Sequence, residues 1–132
     1  MKALDTLMTF ETPLAKCWFD KDLLCLSTKD VRRTGENTKE HYWILRSMIK
    51  EKKCWLIDFN VCVDFDADSE QIINLELPKI CKALALIAKS QCEKNITSFF
   101  LNVKKQNVPV KIFTTEVAAR KWMKEVHHCN ID

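Results

Sequence analysis

Short apolar runs alternate along this chain with longer stretches whose apolar residues recur at helical spacing. Leu7 to Phe10 reads as a brief leading strand. Leu14 to Phe19 and Leu23 to Ser27 are apolar-rich runs parted by Asp20-Lys21-Asp22, a polar turn that predicts an antiparallel hairpin. Thr28 to Asn37 is polar and holds Gly35, so it reads as a loop. Asn37 and Glu40 have the spacing of a capping pair, and Ile44, Leu45, Met48 and Ile49 then share one helical face, extended by His41 or Tyr42. Cys54-Trp55-Leu56-Ile57, closed by Asp58, is a buried strand that follows the basic turn Lys50 to Lys53.

The segment after that strand is acid-rich, with Asp64, Asp66 and Asp68 at every second position. Asp68 or Ser69 can cap a short helix through Leu75 that Pro78 ends. Cys81 to Ile87 suits a buried helix or a buried strand equally, since an unbroken apolar run carries no period. Ser90 and Glu93 form a capping box, followed by Cys92, Ile96, Phe99, Phe100 and Val103 on one face, with Lys104 and Lys105 at the negative pole of the helix dipole. Val108 to Phe113 alternates as a strand, Val110 and Ile112 on one side and Lys111 and Phe113 on the other. A last helix is capped by Thr114 or Thr115 and carries Ala118, Ala119, Trp122, Met123 and Val126 as its apolar stripe. Strands alternating with helices in this order predict an α/β domain with one mixed sheet.

Composition narrows the function classes. A length of 132 residues suits a single domain, 1–132, whose ends at 1–12 and 127–132 the pattern leaves undetermined. Lys and Arg number 21 against 18 Asp and Glu, a net charge of +3 spread over helix ends, which argues for solubility and against a nucleic-acid partner. The N-terminus has acids early and no continuous apolar core, and no run is long enough to cross a membrane, so a cytoplasmic location is expected. Seven cysteines include no C-x-x-C pair and mostly have apolar neighbours, so they are expected to act as small buried hydrophobes, with neither a disulfide framework nor a zinc site. Asn95-Ile96-Thr97 matches a glycosylation sequon, but Ile96 points to the core.

Candidate chemistry centres on the acidic segment. Three alternate carboxylates are how a calcium loop begins, yet the required glycine and glutamate positions hold Ser69 and Leu75. Val61-Cys62-Val63 delivering Asp64 as phosphoryl nucleophile and Asp66 as acid would make a metal-dependent phosphotransferase, but no lysine follow-up motif supports it. The lone glycine excludes a glycine-rich phosphate cradle. His41 has no second histidine, cysteine or serine placed with it, and is better read as a partly solvated helix residue than as a base. His127, His128 and Cys129 cluster only at the chain end. Neither a cofactor, a metal nor a catalytic residue is assigned.

The order of elements and several local strings resemble the STAS and SpoIIAA-like family, most specifically in FFLNVKKQNVPVKIFTTEVAARKWM, Phe99 to Met123, which is similar to small uncharacterised bacterial members. Leu14 to Ser27 and Leu56 to Asp58 are similar to the family's early strands. The resemblance implies a four- or five-stranded mixed sheet with about four helices mainly on one face, and it makes Cys81 to Ile87 a strand. It also implies a serine in the loop after the central strand that a partner kinase phosphorylates. Aligning Asp58 with the end of that strand puts Asp66 on the loop aspartate and Ala67 where the serine would be; Ser69 stands two residues on, better placed to cap a helix. The expectation is a non-enzymatic binding or regulatory domain acting on a protein partner or as a homodimer, with Asp58, Asp64, Phe65, Asp66, Asp68, Ser69, Trp43, Phe99 and Phe100 as its surface. The alternatives are a carrier of a small apolar ligand in a pocket lined by Trp43, Phe65, Phe99 and Phe100, and the phosphotransferase built on Asp64 and Asp66.

Overall fold

A computed structural model describes residues 9–88 and 93–131. Six strands, β1 (Thr9–Glu11), β2 (Ala15–Asp20), β3 (Leu23–Thr28), β4 (Lys53–Phe59), β5 (Cys81–Ala88) and β6 (Val110–Phe113), form one sheet in sequential order. The first three pair antiparallel, and β3 to β6 are parallel. The helices are α1 (Gly35–Met48), α2 (Ala67–Ile80), α3 (Glu93–Lys105) and α4 (Glu116–His127). The sheet has one strand more than the four or five that the resemblance implies: the leading strand expected at Leu7 to Phe10 is β1 at Thr9–Glu11, with Leu7 and Met8 outside the described residues. The Ser90 capping box also lies outside them.

Sequential order dictates where the helices go. Each right-handed crossover from one parallel strand to its next neighbour lays its helix on the same side of the sheet. α1, α2 and α3 therefore cover one face, over a core of Leu24, Leu45, Trp55, Leu77, Leu84 and Phe99 among others. α4 follows the edge strand β6, needs no return crossover, and covers the opposite face with Ala119 and Met123 against Leu23, Cys25, Leu56 and Ala85. Because both faces are buried, β4 and β5 read as nearly unbroken apolar runs. That is why Cys81 to Ile87 could not be separated from a helix by period; it is a strand.

Three boundaries differ from the sequence reading. α1 starts at Gly35, because Thr34 caps it: Asn37 N–H donates to Thr34 Oγ1 at 3.2 Å, and Thr34 N–H donates to Asn37 Oδ1 at 2.8 Å. Asn37 is thus the third helical residue of a capping box, not its first member. α2 is capped by Asp66, whose carboxylate accepts from Ser69 N–H at 2.8 Å, instead of by Asp68 or Ser69. Pro78 does not end α2. It sits in the last turn, and the helix runs to Ile80 and directly into β5, with Cys81 N–H donating to Leu77 O.

The chain's one glycine sets the spacing of α1 and α2. A Cβ at Gly35 would lie 2.8 Å from Asp68 Cβ, a close approach that only a missing side chain permits. Gly35→Ala should therefore lower stability by about 1 kcal/mol, the overpacking cost exceeding the gain in helix propensity. A urea midpoint at or above wild type would show that the helices can separate without cost.

The cysteine reading needs correction. Cys17, Cys25 and Cys81 are free and buried, as small hydrophobes are expected to be. Cys54 and Cys129, 75 residues apart, are joined by a disulfide with Cα atoms 6.7 Å apart, and Cys62 is disulfide-bonded as well. Spacing along the chain gave no sign of it, since the fold alone brings the chain back beside the start of β4.

Candidate functional site

The loops that leave the C-terminal ends of β3 and β4 meet in a single parallel bridge. Arg33 N–H donates to Asp64 O at 2.8 Å, and Asp66 N–H donates to Arg33 O at 2.9 Å. Backbone that is extended at Phe65 turns its flanking side chains one way and its own ring the other. Phe65 turns inward and stacks on Phe99, ring centres 5.4 Å apart. Asp64 is exposed and accepts from Asn95 Nδ2 at 2.9 Å, while Asp66 is committed to the cap. Asp68, two residues on, is exposed in the first turn of α2 against Gly35. Alternation in the sequence thus does not become convergence in space. Among the described residues no three His, Cys, Asp or Glu side chains are grouped to hold a metal ion.

Asp58 is half-buried on β4, in register with Ser27 on β3 and Ile87 on β5. Asn60, just beyond it, accepts from Thr28 Oγ1 at 3.0 Å and ties the two strand ends together. Ser69 is wholly buried, its hydroxyl 2.6 Å from that of Thr38. It is a bond between α1 and α2, out of reach of a modifying enzyme.

Beneath α1 lies a cavity of about 40 Å3, lined by Leu26, His41, Tyr42, Trp55, Phe65 and Phe99 among others. That is room for two or three waters, far short of the roughly 300 Å3 at which small-molecule pockets begin. Of the aromatic residues named for a ligand pocket, Phe65 and Phe99 line it; Trp43 and Phe100 do not. Phe100 is half-buried on α3 with Lys104 Nζ 5.8 Å from its ring centre.

Arg33, Thr38 and His41, the buried polar residues of this cavity, are tied into the interior by hydrogen bonds. Thr12 Oγ1 accepts from the N–H groups of Leu14 and Ala15, both at 3.1 Å, so its own proton goes to His41 Nδ1, 2.6 Å away. That arrangement requires a neutral imidazole with its proton on Nε2. Burial, aided by Arg33, pulls His41 down to about 3. His41 is therefore a core histidine, not the partly solvated one expected from its helix position. Arg33 is buried as well, donating to the carbonyls of Leu14, Lys29 and Val31. Desolvation lowers it to about 10, which leaves it cationic at neutral pH.

Trp43 is placed elsewhere, on the outer side of α1 and 69 % exposed. With Tyr42 and Arg46 of α1 and Ile72 and Leu75 of α2 it lines a groove of about 320 Å3. Leu75, 62 % exposed, is the part of this surface that sequence reasoning missed. Its signal was present: Trp43 and Leu75 each fall off the apolar stripe of their helix, where a large hydrophobe has no core to enter. Charged residues at the rim are Lys39, Arg46 and Glu76, and Glu76 is tied to Arg46 at 3.0 Å and to Lys79 at 3.4 Å.

No helix among the described residues is long and apolar enough to cross a membrane. Comparison with solved structures finds an uncharacterised protein of the DUF3478 family from Shewanella loihica PV-4, which has a SpoIIAA-like fold. The TM-score is 0.59, over 88 % of this chain and 90 % of that one, at 16 % identity. The SpoIIAA-like architecture implied by Phe99 to Met123 is thus the one this chain adopts. Curated proteins yield no match. Residues 17–127 match the DUF7793 family, a domain of unknown function, and the chain belongs to that family.

Proposed function

We propose that this chain is a non-enzymatic binding domain whose α1–α2 groove receives an amphipathic, acidic helix of a protein partner. The observation that carries this is the pair Trp43 and Leu75, held open to solvent on rigid helices over an apolar floor. Exposed tryptophan costs solubility and is the residue most enriched among energetic hot spots of interfaces. A groove between two helices fits the apolar face of a third. The rim supplies the charge argument: Lys39 and Arg46 outnumber Glu76, so an acidic partner is attracted. A second copy would bring the same cations face to face, which opposes a homodimer through this surface.

Selection of a displayed library of helical peptides on the purified protein tests the proposal, with counter-selection on a Trp43→Ala, Leu75→Ala variant. Enriched peptides should carry apolar residues at i, i+3 or i+4 and i+7 flanked by acids, and Trp43→Ala should weaken them by tenfold or more. Sedimentation equilibrium should give a monomer. Peptides indifferent to Trp43, or a dimer that Trp43→Ala dissociates, would replace this reading.

A further inference from the structure

At the opposite end of the sheet, a second recess of about 140 Å3 opens between the starts of β4 and β5 and the chain that follows α4. Cys54 and Cys129 both line it, so their disulfide forms part of its wall. Around them stand Lys52, Lys53, Lys82 and His128, with Asp22, Glu51 and Asn130 completing the lining. Lys53 pairs with Asp22 at 3.4 Å, and Lys82 Nζ donates to His127 O at 3.1 Å. Lysines thus outnumber carboxylates at the mouth of a recess that leads to a sulfur–sulfur bond.

The free cysteines make the contrast. Burial raises the thiols of Cys17 and Cys25 to about 12 and pushes Cys81 up too, so none of the three supplies a nucleophile at neutral pH. None of these thiols lines the recess. The disulfide, by comparison, sits where an incoming anion is attracted and where a departing thiolate has cations nearby.

The disulfide also holds something that can move. His128 adopts the left-handed conformation, φ 53°, and reverses the chain after α4. Cys129 N–H then donates to Met123 O at 3.1 Å, Asp22 N–H donates to Asn130 O at 3.2 Å, and Ile131 is buried against the α4 face of the sheet. Residues 128–131 are thereby a strap across Leu23 and Leu56, fastened covalently at one point.

We propose that Cys54–Cys129 is a thiol-exchange site for a small anionic thiol, and that its opening releases this strap. In the first step the thiolate of the incoming molecule enters the recess and attacks Cys129 Sγ, since of the two buried cysteines Cys129 is the less deeply covered, 7 % against 2 % for Cys54. A mixed disulfide forms, the Cys54–Cys129 bond breaks, and Cys54 leaves as a thiolate beside Lys52 and Lys53. A second molecule of the same thiol attacks the mixed disulfide, releasing Cys129 as a thiolate and departing as the oxidised dimer of the small thiol. Two electrons pass from two small thiols to the protein disulfide. The protons those thiols lost on ionising balance the ones the two cysteine thiolates take up from solvent.

Native oxidised protein should be treated in parallel with 2-mercaptoethanesulfonate, which is anionic, and with cysteamine, which is cationic, at matched thiolate concentration. Alkylation followed by peptide mass mapping reports Cys54 and Cys129 separately from Cys62. The expected result is a rate constant roughly fivefold or more higher for the anionic thiol, with the ratio falling toward one at high salt. Lys52→Gln, Lys82→Gln should lower the same ratio, and the salt series on wild type gives that information should the variant fail to fold. Carboxypeptidase should trim reduced protein faster than oxidised protein. Equal rates for the two thiols would overturn the anion site. A disulfide that opens only in denaturant would make it a structural staple, and unchanged trimming would overturn release of the strap.

Discussion

Between pH 6.5 and 4.5 the protein should lose about 2.3 kcal/mol of unfolding free energy through His41 alone. The folded chain holds this imidazole neutral, with a pKa near 3, because burial and Arg33 disfavour its charge and because Thr12 donates to Nδ1 where a second proton would have to sit. The unfolded chain protonates it near 6.5. Below that value the unfolded state binds a proton that the folded state refuses, so stability is fully present above about 6.5 and falls as pH falls toward 3. Burial and Lys82 depress His127 as well, with the same sign. Comparison with His41→Gln, whose amide oxygen can still accept from Thr12, isolates the larger contribution. Urea unfolding across this range should give a slope smaller in the variant than in wild type, by a difference that grows from about 0.7 kcal/mol per pH unit at pH 6.5 to about 1.3 at pH 4.5. Parallel slopes would mean that His41 titrates normally in the folded state.

Arg33→Met should cost about 3 kcal/mol, with no loss of volume to account for it. Its guanidinium is buried, feels the charge of Asp30, and is held by the carbonyls of Leu14, Lys29 and Val31. Leu14 O and Lys29 O each keep a backbone donor, Lys29 N–H at 2.9 Å and Val31 N–H at 2.8 Å, so removing the guanidinium ends three favourable bonds and takes from Val31 O its side-chain donor. Arg33→Lys should recover only part of the loss, because a point-like ammonium cannot span the same carbonyls. The backbone of Arg33 also carries the bridge to Asp64 and Asp66, so a shifted arginine displaces the cap of α2. Chemical denaturation measures the cost; a loss under 1 kcal/mol would show that water replaces the guanidinium.

Much of the architecture was legible because it rests on local rules. The Asp20–Leu23 turn closes the hairpin, Lys21 taking the positive φ it requires, and the stripes of α1 and α3 point at the sheet, as do Ala119, Trp122 and Met123 of α4, while Ala118 and Val126 of the expected stripe are exposed. Errors arose where two local signals competed. Asn37 looks like a cap until Thr34, three residues earlier, is seen to make the same kind of bond with it. Pro78 ends a helix by rule, but in the last turn the rule has little left to break. The acidic segment needed the structure for another reason: its alternate carboxylates complete neither a calcium loop nor a phosphotransferase motif, and a bridge at Arg33, 31 residues before Asp64 in the chain, gives Asp64 and Asp66 different neighbours. Ser69 and His41 are polar residues whose burial depends on partners, Thr38 and Thr12, that no spacing rule connects to them. Cys54 and Cys129 are the extreme case.

The helix that covers one face of the sheet is encoded after every strand it covers. During synthesis β2 to β5 can pair, and α1 to α3 can close their side, while Leu23, Cys25, Leu56, Ala83 and Ala85 still face water. A nascent chain therefore spends the interval before residues 116–131 leave the ribosome as a half-clad sheet. Its apolar side is then open to chaperones or to another chain. Slow translation just before residues 116–131 should lower the yield of folded protein more than a pause of equal length placed between β3 and β4.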